Sequence, residues 1–420
     1  MWDCSFFCTF AACNNKIDIT PILYMGVLQE RYKQYREPQK FIERGVYPYF
    51  RAITGKQGTE VEMGGHKVLM FGSNAYTGLT GDQRIIDKAK EALDKYGSGC
   101  AGSRFLNGTL DLHVQLEKEI AEYIHKDDCL CFSTGFSVNQ GVIAMVVSKG
   151  DYIICDDRDH ASIVDGRRLS FARPLHYKHN DMADLERVLQ SLPEEGIKLI
   201  VVDGVFSMEG DLANLPEIVN LKKKYPNVAI MVDEAHGIGV FGNQGRGVCD
   251  HFGLTDEVDL IMGTFSKSMA SIGGFIASDA DTINYLRHTC RTYIFSASNT
   301  PAATAAALEA LHIIQQEPER IEALWRVTRY ALRRFREEGF EIGETESPII
   351  PLYVRDVEKT FLVTALAFNA GVFINPVIPP ACAPQDTLVR FALMATHTEE
   401  QVERGVQALK KIFVEQGIIK

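Results

Sequence analysis

No segment of this 420-residue chain reaches the roughly 18 uninterrupted apolar residues of a bilayer-spanning helix, so no helical membrane span is expected. Long basic runs are missing too. With a formal net charge of −11 and nothing able to neutralise many phosphates, the chain is not expected to bind nucleic acid. The densest cationic cluster, Lys222 to Lys224 before Tyr225, reads as a solvated helix end that complements the helix dipole. No internal repeat is present. Ten cysteines occur, but Cys100, Cys129, Cys131, Cys155, Cys249, Cys290 and Cys382 lie scattered in apolar segments without metal-ligand spacing. Cys129 and Cys131 alternate on one strand face, and no second pair completes a zinc set. Reduced thiols and no metal are expected, as in a cytosolic chain. A secretory signal is not expected either, because the first lysine is Lys16 and no basic region precedes an apolar core. Residues 1–24 differ from the rest in their aromatics and in Cys4, Cys8 and Cys13, and the expected native start is Met25.

The composition that remains, 46% apolar and 24% charged, is that of a globular protein with room for about two or three domains. Strand-like and helix-like segments alternate between residues 110 and 305, which predicts an α/β fold with a mostly parallel sheet. Leu112, Leu116, Ile120 and Ile124 form one apolar helix face, and CLCF at Cys129 to Phe132 reads as a strand. The runs YIICDD, KLIVVDGVF, VAIMVDEAH and DLIMGTFSK are short and apolar and end in polar or small residues. From about Asn299 the pattern turns to long helices, followed by strand-like IIPLYV and LVRFALMA. The expected division is an N-terminal arm and helix over 1–70, a large domain over 71–305 and a smaller α+β domain over 306–420.

In open parallel sheets a ligand sits beyond the carboxyl ends of the strands. Asp233 with His236, Ser207, and Lys267 all fall there. Lys267 lies in GTFSKSMASIGGF, among Thr264, Ser266 and Ser268. An ordinary lysine amine is protonated near neutral pH, so one used as a nucleophile must be desolvated or set beside positive charge. Read alone, the stretch fits a surface lysine better than a catalytic one. In VDEAHGIGVFG, Asp233 could hold a heteroaromatic nitrogen protonated or cap the following turn. STGFSVNQG at Ser133 to Gly141 offers free backbone N–H groups at a helix start, which could form an anion site, although any helix could start this way. His160, in DRDHASIVDG, follows a strand and could stack on a flat ring.

Taken in chain order, a phosphate-binding helix start, a stacking histidine, an Asp-x-x-His at a strand end and a lysine among hydroxyls describe a pyridoxal 5′-phosphate site. Across residues 45–415 the sequence resembles the α-oxoamine synthases, most specifically in DEAHGIGVFG and TFSKS. The resemblance implies a fold-type I architecture, with a seven-stranded, mostly parallel sheet and a smaller C-terminal domain. It implies Lys267 as the Schiff-base lysine, Asp233 as partner of the pyridine nitrogen and His160 stacked on the ring. His236 and Ser207 would approach the ring's phenolic oxygen, and Gly135, Phe136, Thr264 and Ser266 the phosphate. Ser296 and Ser298, in YIFSASNTP, match a segment given to the phosphate site across a dimer interface, which implies a homodimer with shared active sites. Arg390, in LVRFALMATHT, is the implied partner of the amino-acid carboxylate. Strand alternation sets it opposite Val389 and Phe391, and its guanidinium offers two parallel hydrogen bonds. Asn74, in FGSNAYTGL, matches a substrate-side asparagine, although NAYTGL departs from the family's NDYLGL.

Within the family, GVYPYFRAI and GVFINPVIPPACAPQDTLVRFALMATHT are similar to bacterial members that condense L-serine with palmitoyl-CoA. Val372, Phe373, Ile374, Val377 and Ile378 are candidates to line an acyl channel or to be core. Open alternatives are members that use glycine with acetyl-CoA, members that make 8-amino-7-oxononanoate, and a non-catalytic scaffold subunit, which Lys267, Asp233 and His160 argue against. A cytoplasmic location is expected, with peripheral inner-membrane contact left open.

Overall fold

The computed structural model describes residues 26–420; the expected start at Met25 and the segment before it lie outside the described residues. Of the described residues, 26–47 belong to a unit of their own. It holds two short helices, Val27–Tyr32 and Glu37–Glu43, neither with a buried residue.

From Pro48 onward the chain opens with a hairpin, β1 (Glu60–Met63) and β2 (His66–Met70). The apolar runs then become strands: β3 (Asp128–Phe132), β4 (Tyr152–Asp156), β5 (Arg173–Tyr177), β6 (Lys198–Asp203), β7 (Val228–Asp233), β8 (Leu260–Thr264) and β9 (Gly274–Ser278). They form one seven-stranded sheet in the order β3-β9-β8-β7-β6-β4-β5. Only β9 runs antiparallel to its neighbours. Along these strands successive side chains serve opposite faces. Ile154, Ile200, Val202, Ile230 and Val232 enter one core, and Ile153, Cys155, Leu199, Val201 and Met231 the other. Burial on both faces explains why the runs are continuously apolar rather than alternating. Their polar residues stand at the carboxyl ends: Asp156, Asp203, Asp233 and Thr264.

The C-terminal part builds β10 (Ile349–Tyr353), β11 (Val372–Phe373), β12 (Asn375–Val377) and β13 (Leu388–Ala392). β11 joins β2 in parallel, and β10, β13 and β12 form an antiparallel sheet in that order. Helices Glu319–Glu337, Val357–Asn369 and Glu399–Glu415 supply its apolar cover. Phe71 and Tyr76 belong to this core as well. Backbone bonds from Ala392 to Phe71 (2.7 Å) and from Ala395 to Tyr76 (2.7 Å) lay residues 71–76 beside β13. That contact brings Asn74 to Arg390.

Candidate active site

A cavity of about 350 Å³ lies beyond the carboxyl ends of β6, β7 and β8. It is lined by Gly135, Phe136, His160, Asp233, His236, Thr264, Ser266 and Lys267 of the expected residues, together with Ser162 and Asp203. The helix Gly135–Val146 starts at the cavity, capped by Thr134, whose Oγ1 accepts from the Ser137 N–H at 3.1 Å. Gly135 lets this start lie against β8, since a Cβ there would stand 2.9 Å from Thr264 Oγ1. Thr264 donates to the Gly273 carbonyl at 2.9 Å and touches Ser266 Oγ at 2.9 Å. With the Thr264 proton given to Gly273, Ser266 is the donor to Thr264 Oγ1, and its exposed hydroxyl stands beside the helix N–H groups, where turning that one proton outward would serve an anion.

Asp233 is 3% exposed. Its Oδ1 accepts from the Ala235 N–H at 2.8 Å and its Oδ2 from Asn139 Nδ2 at 2.7 Å. The turn-capping reading and the buried-acid reading thus hold together. The strand register sets Asp203 beside it. Burial, and then the Asp233 carboxylate, push Asp203 well above the usual carboxylate range. Burial lowers the Lys267 amine to about 8, against the opposing pull of Asp233 and Asp203, with Arg390 adding to the fall.

His160 caps the helix Ala161–Leu169. Its Nδ1 accepts from the Ser162 N–H at 3.2 Å and lies 2.7 Å from Ser162 Oγ, which leaves the proton of the neutral ring on Nε2. Desolvation lowers its pKa, Asp233 opposes this, and Lys267 adds to it. Phe136 stands edge-on to the ring, centroids 6.3 Å apart. Asn139 Nδ2 also reaches Ser162 Oγ at 2.9 Å, so one amide ties Asp233 to the His160 cap. Buried His236 has its pKa well below the ordinary value, through burial and then the nearby cations Lys267 and Arg390. Its Nδ1 meets the Tyr76 hydroxyl at 2.6 Å.

Arg390 is 7% exposed. As expected from alternation, it lies apart from the apolar cluster that takes Val389 and Phe391. Nη2 donates to Asn74 Oδ1 at 2.6 Å and Nη1 to the Ser207 carbonyl at 2.9 Å, while buried Nε has no partner. The Tyr76 hydroxyl lies 3.3 Å from Asn74 Oδ1, so Arg390, Asn74, Tyr76 and His236 form one polar chain into the cavity. Ser207 joins it by its carbonyl and is absent from the cavity wall. Ser296 and Ser298 are absent from the wall too; Ser298 Oγ donates to the Gly102 carbonyl at 3.1 Å. Of the candidate channel residues, Val372 and Ile374 are core, and Phe373 lines a second cavity of about 280 Å³ with Met63, Met70 and Met394.

Asn139, Ser162, Asp203 and Tyr76 were not singled out from the sequence. Signals were available for three of them: Asn139 is one helical turn beyond Gly135, Asp203 ends an apolar run as Asp233 does, and Ser162 sits two residues past a capping histidine. The donor set fits a flat, phosphorylated pyridine aldehyde. The amine is weakened enough to attack an aldehyde, a buried acid suits a ring nitrogen, an imidazole suits the ring face, and a helix start beside an exposed hydroxyl suits the phosphate.

Residues 66–409 match the family model described as aminotransferase class I and II. A serine palmitoyltransferase from Bacteroides ovatus is 76% identical over 93% of this chain and 98% of its own length. An 8-amino-7-oxononanoate synthase from Lysinibacillus sphaericus is 42% identical over 93% of this chain and 100% of its own. Among solved structures, a serine palmitoyltransferase variant from S. paucimobilis with a bound PLP–myriocin aldimine superposes with a TM-score of 0.91. It is 34% identical, and the match covers 94% of this chain and all of that one.

Proposed function

This chain belongs to the aminotransferase class I and II family, and on that premise we infer that it is a pyridoxal-phosphate-dependent acyltransferase that condenses L-serine with palmitoyl-CoA, releasing 3-oxosphinganine, CoA and CO₂. The substrate pair follows the 76% identical relative rather than the 42% identical synthase. The observation that carries the chemistry is one cavity holding the Lys267 amine, lowered to about 8, with buried Asp233.

When bound, pyridoxal 5′-phosphate supplies the electron sink for the pair left on the amino-acid Cα. In our reading Lys267 would hold it covalently through Nζ, and the same amine would take the Cα proton of L-serine. Asp233 keeps the ring nitrogen protonated, its carboxylate oriented by Asn139 and the Ala235 N–H. Arg390 binds the serine carboxylate, with Asn74 and Ser207 fixing the guanidinium. His160 would cover the ring, and its Nε2–H would donate to the negative charge developing on the thioester carbonyl oxygen. Gly135, Phe136, Thr264 and Ser266 hold the phosphate, and His236 the phenolic side of the ring.

A second copy of the chain completes the site in this reading. The exposed apolar residues Phe105, Leu106, Ile272 and Phe295 gather where Ser298 and Asn299 bond to Gly102 and Ile272, and Ser296 and Ser298 would reach the partner's phosphate from there. We place the enzyme in the cytoplasm. Among the described residues no helix is long and apolar enough to cross a bilayer.

The test is a spectral titration of the holoenzyme with L-serine and with glycine, followed by CoA release across acyl lengths. Serine binding with turnover of the C16 thioester is expected. Preference for glycine with acetyl-CoA would overturn the substrate assignment.

A further inference from the structure

Residues 204–213 form a turn between β6 and the helix Leu215–Lys224. The turn places no side chain on the cavity wall beyond strand-end Asp203, yet it carries the carbonyl of Ser207 that receives Arg390 Nη1 at 2.9 Å. Because Nε of Arg390 is unpartnered, the guanidinium is aimed by two atoms only, that carbonyl and Asn74 Oδ1. The aim of Arg390 therefore depends on what holds the turn.

Inside the turn, Val205 pairs with Leu212, and Phe206 N–H bonds the Asp211 carbonyl at 3.0 Å. From outside, the firmest grip is His179. Its Nε2 lies 3.0 Å from Asp211 Oδ2 and its Nδ1 2.9 Å from Asp156 Oδ1, and the ring is edge-on to Phe206 with centroids 4.4 Å apart. Only an imidazolium donates from both nitrogens to two carboxylates. Burial alone would lower its pKa, but Asp156 and Asp211 outweigh that and hold it up at about 9. The other charged group facing it from the turn is Glu209, itself paired with Arg158 at 2.7 Å. Asn180 adds bonds to Asp211 Oδ2 at 3.1 Å and to the Leu212 carbonyl at 2.9 Å. On the far side, Gly210 O accepts from Thr345 Oγ1 at 3.2 Å and from the Glu346 N–H at 3.2 Å.

We propose that His179 is a positioning residue for the amino-acid carboxylate: bridging Asp156 at the end of β4 to Asp211 in the turn, it fixes the Ser207 carbonyl and so the aim of Arg390. The inference rests on the reading of Arg390 as the carboxylate partner. It makes His179, which reaches neither cofactor nor substrate, a determinant of serine affinity. A role in stability alone would weaken every ligand alike.

The experiment titrates the holoenzyme absorbance with L-serine and, separately, with L-serinamide, whose neutral carboxamide offers Arg390 no charge. For His179→Gln, which keeps a donor for only one of the two carboxylates, serine binding should weaken about tenfold with serinamide binding unchanged. Asp211→Asn, a milder change that keeps the turn's backbone bonds, should shift serine in the same direction and serves where His179→Gln does not fold. Arg390→Lys is the reference and should lose serine selectively. If it does so while the His179 and Asp211 variants bind serine normally, or lose both ligands equally, His179 has no positioning role. If Arg390→Lys shows no selectivity, Arg390 is not the carboxylate partner and the proposal falls with it.

Discussion

Asp233 has two oxygens and each receives one protein donor, the Ala235 N–H and the Asn139 amide. The carboxylate itself lines the cavity, and among the described residues no protein cation is hydrogen-bonded to it. Asp233→Ala should lower turnover by on the order of 10²-fold, as the loss of one preorganised charge partner does. Asn139→Ala should cost less, roughly tenfold, because the acid remains while its orientation and the Ser162 link to His160 are lost. Single-turnover rates of the two variants, taken with the absorbance of the bound cofactor, check the order. Equal losses would place Asn139 in direct contact with the chemistry. Lys267, Asp233, His160 and His236 were legible in the sequence because each is a polar residue set just past an apolar run. Asn139 was not, because its partner lies 94 positions away and nothing local to STGFSVNQG shows which strand end the helix will face. Tyr76 was hidden for the same reason: its partner His236 is 160 positions distant.

At the scale of elements, the meeting of the helix Gly135–Val146 with β8 and β9 sets the shape of the phosphate end. A Cβ on Gly274 would stand 2.7 Å from Gly135 Cα and 2.8 Å from the Gly263 carbonyl, both backbone atoms that cannot swing aside. Gly273 holds φ +132, a region that favours glycine, and a Cβ there would meet Asn299 at 2.4 Å. The glycine pair is therefore a packing device that seats the helix start on the sheet. Gly274→Ala should cost about 1–3 kcal/mol through overpacking and release cofactor more readily, whereas Gly55→Ala, with nothing within 4 Å of its added Cβ, should leave both unchanged. Thermal unfolding and cofactor retention on dialysis read the two effects, and a Gly274→Ala protein with wild-type values in both would remove the glycine from this role. The parallel strands themselves were readable, since continuous apolar runs closing on aspartate are what double-sided burial produces. The reversed direction of β9 and the pairing of β11 with β2 were not. The β11 pairing depends on a partner brought from far along the chain, and although β9 turns back on β8 just before it, a run such as GFIAS carries no mark of its direction.

For the whole molecule, three histidines on separate elements give stability two pH limits. His113 and His397 are buried and neutral, both lowered to about 4 chiefly by burial, with neighbouring Arg104 also lowering His113. Each is tied to the backbone: His113 Nε2 to the Asn299 carbonyl at 2.9 Å, and His397 Nδ1 to the Met394 N–H at 2.9 Å. Their folded values lie below the unfolded one of about 6.5. The unfolded chain therefore binds more protons in between, and their contribution, complete above about 6.5, is lost as pH falls through 4. His179 has the opposite sign. Raised to about 9 by Asp156 and Asp211, it is protonated in the folded chain where the unfolded chain has released its proton. Its contribution is complete below about 6.5 and is lost as pH rises through 9. The contribution of these three histidines to the unfolding free energy thus rises from pH 4 toward neutrality and declines toward pH 9. His179→Gln should flatten the alkaline decline and leave the acid limb in place, because the acid limb belongs to other elements with no shared partners. Urea unfolding at half-unit pH steps measures both limbs. An alkaline decline as steep in His179→Gln as in the wild type would show that the imidazolium bridge between Asp156 and Asp211 does not govern that limb.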